Sequence, residues 1–391
     1  DIDGVATSPG TYSVDRVVDD NHIEIIGNAT PTADALLGGS DIEIMRLSSA
    51  SGITAPVFSD RYGWPQFAAV WQSRLFLGGS ESLPDAAFGS AINNFTDFKP
   101  GTGQDDEALT LYGMGGGGRI LHANPGYDLM FFTSKGEHYI PGSNDVAITP
   151  ETVRAASANT NIGSSYTPIV AFDGAVFHVD APGAHIRATM PNQSEYSSKI
   201  MTIGAPDWVN QPVDSAAFMG GTSEATPYAL IVNDGDGSML VIHSAKEDDA
   251  YGAMRWTLGG GSFVSVAGVF NRLFAVANIG GTYVLAEFDT RDQGGGMDLA
   301  ERFASDAGNP TVTHSFLVSQ TVQATEDGVA VTDQSITAGG VYTKQTAAAD
   351  DVVVGVSMPW SFSVSPPIAA SGQGSNAGKM ANLVDTEILF R

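Results

Sequence analysis

Arg74-Leu-Phe-Leu-Gly78 is a short apolar run that ends at glycine, and four further runs of this kind follow it along the chain. They are Asp128-Leu-Met-Phe-Phe132, Asp173-Gly-Ala-Val-Phe-His178, Ala229-Leu-Ile-Val-Asn233 and Arg272-Leu-Phe-Ala-Val276. Their starts lie roughly 45 to 55 residues apart, which is the length of one four-stranded blade. The recurrence predicts a small β-propeller in the middle of the chain.

The composition favours an all-β protein. The chain has 391 residues, of which 42% are hydrophobic, and this is enough to build substantial cores. It contains 46 glycines and 19 prolines without a collagen-like period, which suits many short strands joined by tight turns. Only residues 151–156 have a helix-tolerant composition, and that segment is too short to form a stable helix alone.

The charge balance argues against a protein that grips nucleic acid. The 44 acidic and 18 basic side chains give a formal net charge of −26, whereas a phosphate-binding surface needs clustered lysine and arginine. Cysteine is absent, so neither disulfides nor thiolate metal ligands hold the fold. No apolar run approaches about 18 residues, the length of a membrane helix, and we therefore predict no membrane segment.

Turn-rich stretches divide the chain into three predicted parts. Residues 12–18 and 22–26 alternate with period two, as in a hairpin, and a third alternating strand follows at residues 41–47. A glycine-rich, charged stretch at residues 291–296 ends the repeats. We therefore predict a small N-terminal β-hairpin unit at residues 1–60, a β-propeller at 61–290 and a C-terminal β-sandwich at 291–391.

Three patterns suggest ligand chemistry, and a structural role is favoured for each. Residues 113–119 are glycine-rich but lack the Gly-Lys-Ser/Thr ending of a phosphate loop, so we predict an inter-strand loop. Residues 233–238 place oxygens at alternate positions as calcium loops do, yet Ala245 stands where the bidentate glutamate belongs, which favours a hairpin turn. His178 and His185 are close in sequence but have no evident third ligand. The sequence therefore predicts no metal site and no cofactor.

Two acidic clusters leave an enzymatic alternative open. Residues 105–107 and 247–249 could supply the acid and the nucleophile of a propeller-type glycosidase, which needs two carboxyl groups about 5 to 10 Å apart in a cleft. Charge runs of this kind are more often solvated loops. The five tryptophans are spread along the chain, which favours cores over a sugar-stacking platform. We predict that the protein is not an enzyme, with a glycosidase or a receptor- or glycan-binding propeller as alternatives.

The segment that begins at Trp71 resembles a signature of one protein family. Trp71-Gln-Ser-Arg-Leu-Phe-Leu-Gly-Gly79 is followed by Phe88-Gly-Ser90 and by Asn94-Phe-Thr-Asp-Phe98. This order is similar to the opening of the propeller in the tail nozzle, or tail tubular protein B-like, family of short-tailed bacteriophages. Further stretches of the family pattern keep the expected order; they are residues 127–137, 148–153, 176–179 with Arg187, 321–322 with 327–328, 339–341 and 353–356.

The resemblance implies a structural role in the tail of a virion. It implies a ring of identical subunits, usually six, that continues the tail below the adaptor or portal and leaves a channel for viral DNA. The acidity of the chain agrees with such a conduit, because a wall of carboxylates repels phosphate and lets DNA pass without specific binding. The residues that we predict to face the channel or an interface are Asp105, Asp106, Glu107, Glu247, Asp248 and Asp249.

Overall fold

The computed structural model of the chain consists of strands, turns and loops over the residues that it describes, apart from one 3-10 turn at Pro206–Trp208. The described residues are 13–19, 22–26, 45–47, 54–60, 62–99, 103–113, 118–142, 148–158, 160–172, 174–192, 195–220, 226–245, 250–269, 272–288, 297–304, 308–357, 370–371 and 374–375. The prediction of an all-β protein is confirmed. In this part of the chain, no helix has the length and hydropathy needed to cross a bilayer.

Two separate strand pairs lie in the N-terminal region. β1 (Ser13–Asp19) pairs with β2 (His22–Ile26), as the alternating pattern predicts. β3 (Met45–Leu47) pairs with β4 (Thr54–Pro56) and does not join that hairpin. The predicted boundary of an independent unit near residue 60 stays a prediction.

Five antiparallel sheets follow, and in each of them the strands are paired in sequence order. Sheet 1 contains β5 (Phe67–Trp71), β6 (Arg74–Gly78), β7 (Ala87–Gly89) and β8 (Leu109–Leu111). Sheet 2 contains β9 (Ile120–Pro125), β10 (Leu129–Thr133), β11 (Glu137–Ile140) and β12 (Ala156–Ser157). Sheet 3 contains β13 (Val170–Phe172), β14 (Ala175–Val179), β15 (Ile186–Asn192) and β16 (Glu195–Ile200). Sheet 4 contains β17 (Pro212–Gly220), β18 (Thr226–Asn233), β19 (Met239–Ala245) and β20 (Ala250–Trp256), and sheet 5 contains β21 (Gly261–Val269), β22 (Arg272–Ile279) and β23 (Thr282–Glu287).

The five apolar runs that recur in the sequence fall on the second strands of these sheets. Those strands are β6, β10, β14, β18 and β22. In β18, Ala229 and Ile231 belong to a core shared with sheet 3, whereas Leu230 and Val232 belong to a core shared with sheet 5. Because neighbours cover both faces of such a strand, its sequence is a continuous apolar run and not an alternating one.

Consecutive sheets pack on one another through apolar side chains. Phe76 of sheet 1 and Phe131 of sheet 2 share one core, and Phe132 of sheet 2 shares another with Val176 of sheet 3. The first strands of several neighbouring sheets also lie against each other, as β5 and β9, β13 and β17, and β17 and β21 do. At Gly268 of β21 a Cβ atom would lie 1.8 Å from the carbonyl oxygen of Ala217 in β17. Only glycine allows this approach.

The C-terminal strands form one larger sheet and two strand pairs. The larger sheet is built from β24 (Met297–Ala304), β30 (Asp351–Ser357), β26 (Thr321–Glu326), β27 (Val329–Ala330) and β28 (Gln334–Ser335). The pairs are β25 (Thr311–Thr313) with β29 (Val341–Thr343), and β31 (Ala370–Ser371) with β32 (Gly374–Ser375). Val312 and Val354 lie in the same core as Leu273 of sheet 5, so this region packs on the last sheets of the series.

The structure supports the predicted all-β architecture but not the closed ring of a propeller. It shows small antiparallel sheets packed in series, and a closed propeller is not shown. The division of the chain at residues 60 and 290 stays a prediction. The strand predicted at residues 387–390 lies outside the described residues.

Candidate functional site

Three of the six residues that we predicted to face a channel or interface lie on one loop of sheet 1. Asp105, Asp106 and Glu107 lie between β7 and β8; the first two are exposed, and Glu107 is half-buried. Glu247, Asp248 and Asp249 lie outside the described residues. The structure therefore gives a geometry for the first cluster only.

The buried side chain of Arg74 forms hydrogen bonds with the backbone of this loop. Its side chain is 2% exposed, and its guanidinium donates only to backbone carbonyl oxygens in the hydrogen bonds found. Nη1 donates to Ser90 O at 2.7 Å and to Glu107 O at 2.6 Å, while Nη2 donates to Asp105 O at 2.7 Å and to Ile148 O at 3.4 Å. A planar guanidinium can serve several acceptors at fixed angles, which an ammonium group cannot do.

Other residues of the quoted signature stabilise the end of β7 and a small core beside it. Ser90 Oγ accepts from Leu75 N at 2.9 Å and donates to Ala91 O at 3.0 Å, so it fixes the chain just after β7. Phe88 and Phe98 are buried in a small core with Leu77. Arg74, Ser90, Phe88 and Phe98 of the signature are thus buried, and Arg74 links them to the loop, whereas Phe95 of the same signature is 44% exposed.

The three carboxylates of the loop differ in their roles. Glu107 Oε2 accepts from Gly103 N at 2.7 Å and from Gln104 N at 2.9 Å, so this side chain closes the loop on itself. Ile92 N donates to Asp106 O at 2.9 Å and ties the loop to the preceding turn. Burial lowers the pKa of Arg74, and the negative charge of Asp106 opposes this shift without cancelling it. The side chains that the scaffold presents to solvent are therefore those of Asp105 and Asp106.

A second polar cluster, which the sequence analysis missed, lies between sheets 2 and 3. Glu137 of β11 is fully buried, and its Oε1 lies 3.9 Å from His178 Nε2 of β14. The hydroxyl of Thr160 donates to Glu137 Oε2. His178 Nδ1 lies 2.8 Å from Ser164 Oγ, and its Nε2 lies 3.1 Å from Thr189 Oγ1. These residues are distant in sequence, so no local pattern indicates that they meet.

Burial shifts both titratable groups of this cluster towards their neutral forms. It lowers the pKa of His178 to about 3, with the positive charge of Arg187 as a further cause. It raises the pKa of Glu137, and the bond from Thr160 and the charge of Arg187 oppose this rise. Among the described residues, Glu137 Oε1 and Arg187 Nε are buried atoms without a hydrogen-bond partner. Because Glu137 and His178 are closed off from solvent, the cluster can couple sheet packing to protonation but cannot reach a large substrate.

The stability of the protein should therefore depend on His178 in acid. The unfolded chain takes up a proton on this side chain near pH 6.5, whereas the folded protein does so only near pH 3. Acid thus favours unfolding over this range, while the raised pKa of Glu137 acts in the opposite direction. For His178→Gln, which keeps polar atoms for Ser164 and Thr189, we expect the loss of stability between pH 7 and pH 4 to shrink by about 3 kcal/mol. Urea unfolding at both pH values measures this, and equal losses in the variant and the wild type would contradict it.

The other candidate motifs have structural places. Residues 233–238 form the predicted hairpin turn between β18 and β19, where Ser238 N donates to Asp236 Oδ1 at 3.0 Å and Arg255 pairs with Asp236 Oδ2 at 2.7 Å. His185 lies in a turn and pairs with Asp180 at 2.8 Å. Part of the glycine-rich run at 113–119 lies outside the described residues. Within the described ranges, no three His, Asp or Glu side chains are grouped as metal ligands.

The sequence predicts that the tryptophans lie in cores, and this does not hold for all of them. Trp71 is buried, and Trp208 and Trp256 pack against cores at their partly buried faces. Trp64 is 62% exposed and donates to Asp60 Oδ1 at 3.0 Å, so the prediction was wrong for this residue. Its polar indole N–H has a surface partner, which allows the ring to remain in solvent.

Comparisons with known proteins include distant structural similarity to two solved structures. No family model matches the chain. No curated protein matches it. A structure of an exo-beta-1,3-galactanase from Phanerochaete chrysosporium with galactose has 6% sequence identity, covers 80% of this chain and 96% of that chain, and has a TM-score of 0.27. A variant of that enzyme with beta-1,3-galactotriose has 6% identity, covers 80% and 99% of the two chains, and has a TM-score of 0.29.

These matches correct one of our predictions. Both solved structures are of a glycosidase, which contradicts the prediction that the chain is not an enzyme, and we withdraw that prediction. At TM-scores of 0.27 and 0.29, the similarity carries no argument about the activity of this chain.

Proposed function

We propose that the chain is a nozzle-like ring subunit in the tail of a short-tailed bacteriophage and forms part of the wall around the channel for the genome. The observation that carries the proposal is the loop of Asp105 and Asp106 on its buried Arg74. Arg74 belongs to the stretch that resembles the nozzle signature, and its guanidinium bonds both to Ser90 O of the same stretch and to the backbone of this loop.

The proposal includes closure of the five sheets into a propeller. The first strands at the two ends of the series expose apolar side chains, with Val70 of β5 at 53% and Val269 of β21 at 50%. Within the series, first strands such as β17 and β21 lie against each other. Contact between β21 and β5 would cover the exposed valines in the same way and would leave no end strand of this layer open.

The proposed role of the loop is electrostatic. A carboxylate on a channel wall repels the phosphates of passing DNA, whereas a lysine would bind them and release counterions. Salt screens this repulsion over about 8 Å at physiological ionic strength, so only side chains on the wall itself matter. Arg74 holds the backbone of Asp105 and leaves both aspartate side chains directed away from the protein core.

Charge reversal tests this role. For the double variant Asp105→Lys and Asp106→Lys we expect intact particles that eject DNA several-fold more slowly, with the largest delay at low salt, where the attraction is strongest. Asp333→Lys is the matched control, because Asp333 is also exposed but lies in the C-terminal region. Release of DNA from purified particles gives the rate. Equal rates for all three proteins in low salt would remove the electrostatic role while leaving a structural role intact.

Electron microscopy of purified particles tests the assembly. We expect several copies of the chain arranged as a ring on the tail axis, as a heterologous interface between neighbours requires. One copy per tail, or a location on a peripheral spike, would refute the ring. Hydrolysis of polysaccharides by the purified chain, abolished by a single Asp or Glu substitution, would instead establish the glycosidase.

A further inference from the structure

Two buried polar atoms of opposite kind have no hydrogen-bond partner between sheets 2 and 3. Glu137 Oε1 is an acceptor, and the Nε–H group of Arg187 is a donor. Both residues lie in the described part of the chain, and both atoms are closed off from bulk solvent. Folded proteins pair nearly all such atoms, because a buried polar group has lost its hydrogen bonds to bulk water and needs others in their place.

The strand register brings the two side chains to facing sheets. Arg187 of β15 lies opposite His178 of β14, so both project from the same face of sheet 3. Glu137 of β11 meets this face from sheet 2, with Oε1 at 3.9 Å from His178 Nε2. Arg187 Nη1 donates to Ser198 Oγ at 3.4 Å, and the hydroxyl of Thr160 donates to Glu137 Oε2. Each charged group is therefore held at one atom, while another of its polar atoms stays unused.

The two groups influence each other without touching. The positive charge of Arg187 acts on both Glu137 and His178. Among the ion pairs of the described residues, none joins Glu137 to Arg187 directly. Two polar groups that are too far apart for a direct bond, yet close enough for their charges to interact, are commonly bridged by water.

We propose that one internal water molecule binds between sheets 2 and 3, where it accepts a hydrogen bond from Arg187 Nε and donates one to Glu137 Oε1. Water fits because one donor and one acceptor remain, and because the opposite charges of the two side chains leave no net charge for an ion to balance. The proposal holds for either protonation state of Glu137, since water can donate or accept.

His178 supplies a third polar partner for the water. Bonds of about 2.8 Å from one oxygen can reach both Glu137 Oε1 and His178 Nε2, which lie 3.9 Å apart. Buried waters typically make about three hydrogen bonds, so three polar neighbours are enough to hold one. The water then links β11 of sheet 2 to β14 and β15 of sheet 3, and the joint between these sheets is polar at this point and apolar around Phe132 and Val176.

Magnetic relaxation dispersion of water oxygen, which counts long-lived internal waters in solution, tests the proposal. We expect the wild type to hold one more such water than the double variant Glu137→Met and Arg187→Met, in which both polar atoms are gone. Tyr196→Phe is the matched control, because it removes a hydroxyl that donates to Asp128 Oδ2 at 2.5 Å between the same two sheets. Its count should equal that of the wild type. Equal counts in the wild type and the double variant would overturn the proposal.

Urea unfolding of the single and double variants gives a second readout. Either single substitution leaves the other polar atom buried with a water that has lost a partner, whereas the double variant removes the whole group. We therefore expect the two single effects on the unfolding equilibrium constant, when multiplied, to exceed the effect of the double variant by at least about tenfold. Effects that simply multiply would show that Glu137 and Arg187 share no partner, against the proposal.

A high-resolution crystal structure of the wild type keeps the proposal falsifiable if the methionine variants do not fold. We expect an ordered water oxygen about 2.7 to 3.2 Å from both Arg187 Nε and Glu137 Oε1. A direct hydrogen bond between the two side chains, or an apolar group between them, would overturn the proposal.

Discussion

Replacement of Arg74 by methionine is expected to destabilise the protein by about 3 to 5 kcal/mol, because three carbonyl oxygens lose a charged donor at once. Methionine fills a similar volume and removes the desolvation cost of the guanidinium. It cannot donate to the carbonyl oxygens of Ser90, Glu107 and Asp105, which stay in place. Leaving a buried acceptor unpaired costs about 1 to 3 kcal/mol, and this loss at Ser90 O, with smaller losses at the partly buried oxygens of Glu107 and Asp105, outweighs the gain from apolar packing.

Two further variants serve as comparisons for Arg74→Met. Arg74→Lys keeps the charge but not the fork of donors, so we expect a smaller loss than for methionine. Arg272→Met removes a guanidinium that pairs at 2.6 Å with Glu287 at the surface, where the arginine side chain is 59% exposed, and a much smaller loss of stability is expected because solvent screens the pair. Urea unfolding gives the free energies, and hydrogen exchange over residues 103–107 reports on the loop. If methionine at position 74 costs no more than methionine at position 272, the anchoring role is wrong.

Introduction of a methyl group at Gly268 is the second change with a large expected effect. In Gly268→Ala the new Cβ atom would lie 1.8 Å from the carbonyl oxygen of Ala217, and a backbone atom cannot move aside as a side-chain end can. We expect β21 to shift away from β17 and the free energy of unfolding to fall by about 3 kcal/mol, the upper end for overpacked cores.

The matched control lies in the neighbouring sheet. Gly252 of β20 has no atom within 4 Å of its Cβ position, so Gly252→Ala should change stability by less than about 0.5 kcal/mol. Thermal and urea unfolding of both variants measure the difference. Equal stabilities of the two variants would show that sheets 4 and 5 do not meet as closely as β17 and β21 do here.

The sequence predicted those strands whose burial produces a visible pattern in consecutive residues. Ala229 to Asn233 form a visible apolar run because cores on both faces of β18 demand it, and the alternation before residue 27 predicted β1 and β2. The extra strand pairing of β3 with β4 was not predicted, since three-residue strands carry almost no pattern. Closure of the series depends on contacts between its ends, and no local pattern reports on them.

The residues of the candidate site were predictable only in part. Asp105 and Asp106 were found as an acidic run, but Arg74 was read as the start of an apolar strand because its partners are backbone carbonyls, which leave no trace in side-chain chemistry. Glu137 and His178 meet only because sheets 2 and 3 pack together. Glu107 was grouped with its neighbours, although its carboxylate binds the backbone of its own loop.

The sequential order of strands within each sheet has a consequence for synthesis. Sheets 1 to 4 are each built from four consecutive strands, and each packs on the sheet made just before it. All strand pairings within a sheet are therefore between neighbours in sequence, and a sheet can form as soon as its last strand has left the ribosome. Sheets 4 and 5 differ from the first three, because the core that they share also includes Val312 and Val354 of the C-terminal strands. The final cooperative unit is thus completed last, and a chain released early would fold its front while keeping an apolar surface at its growing end.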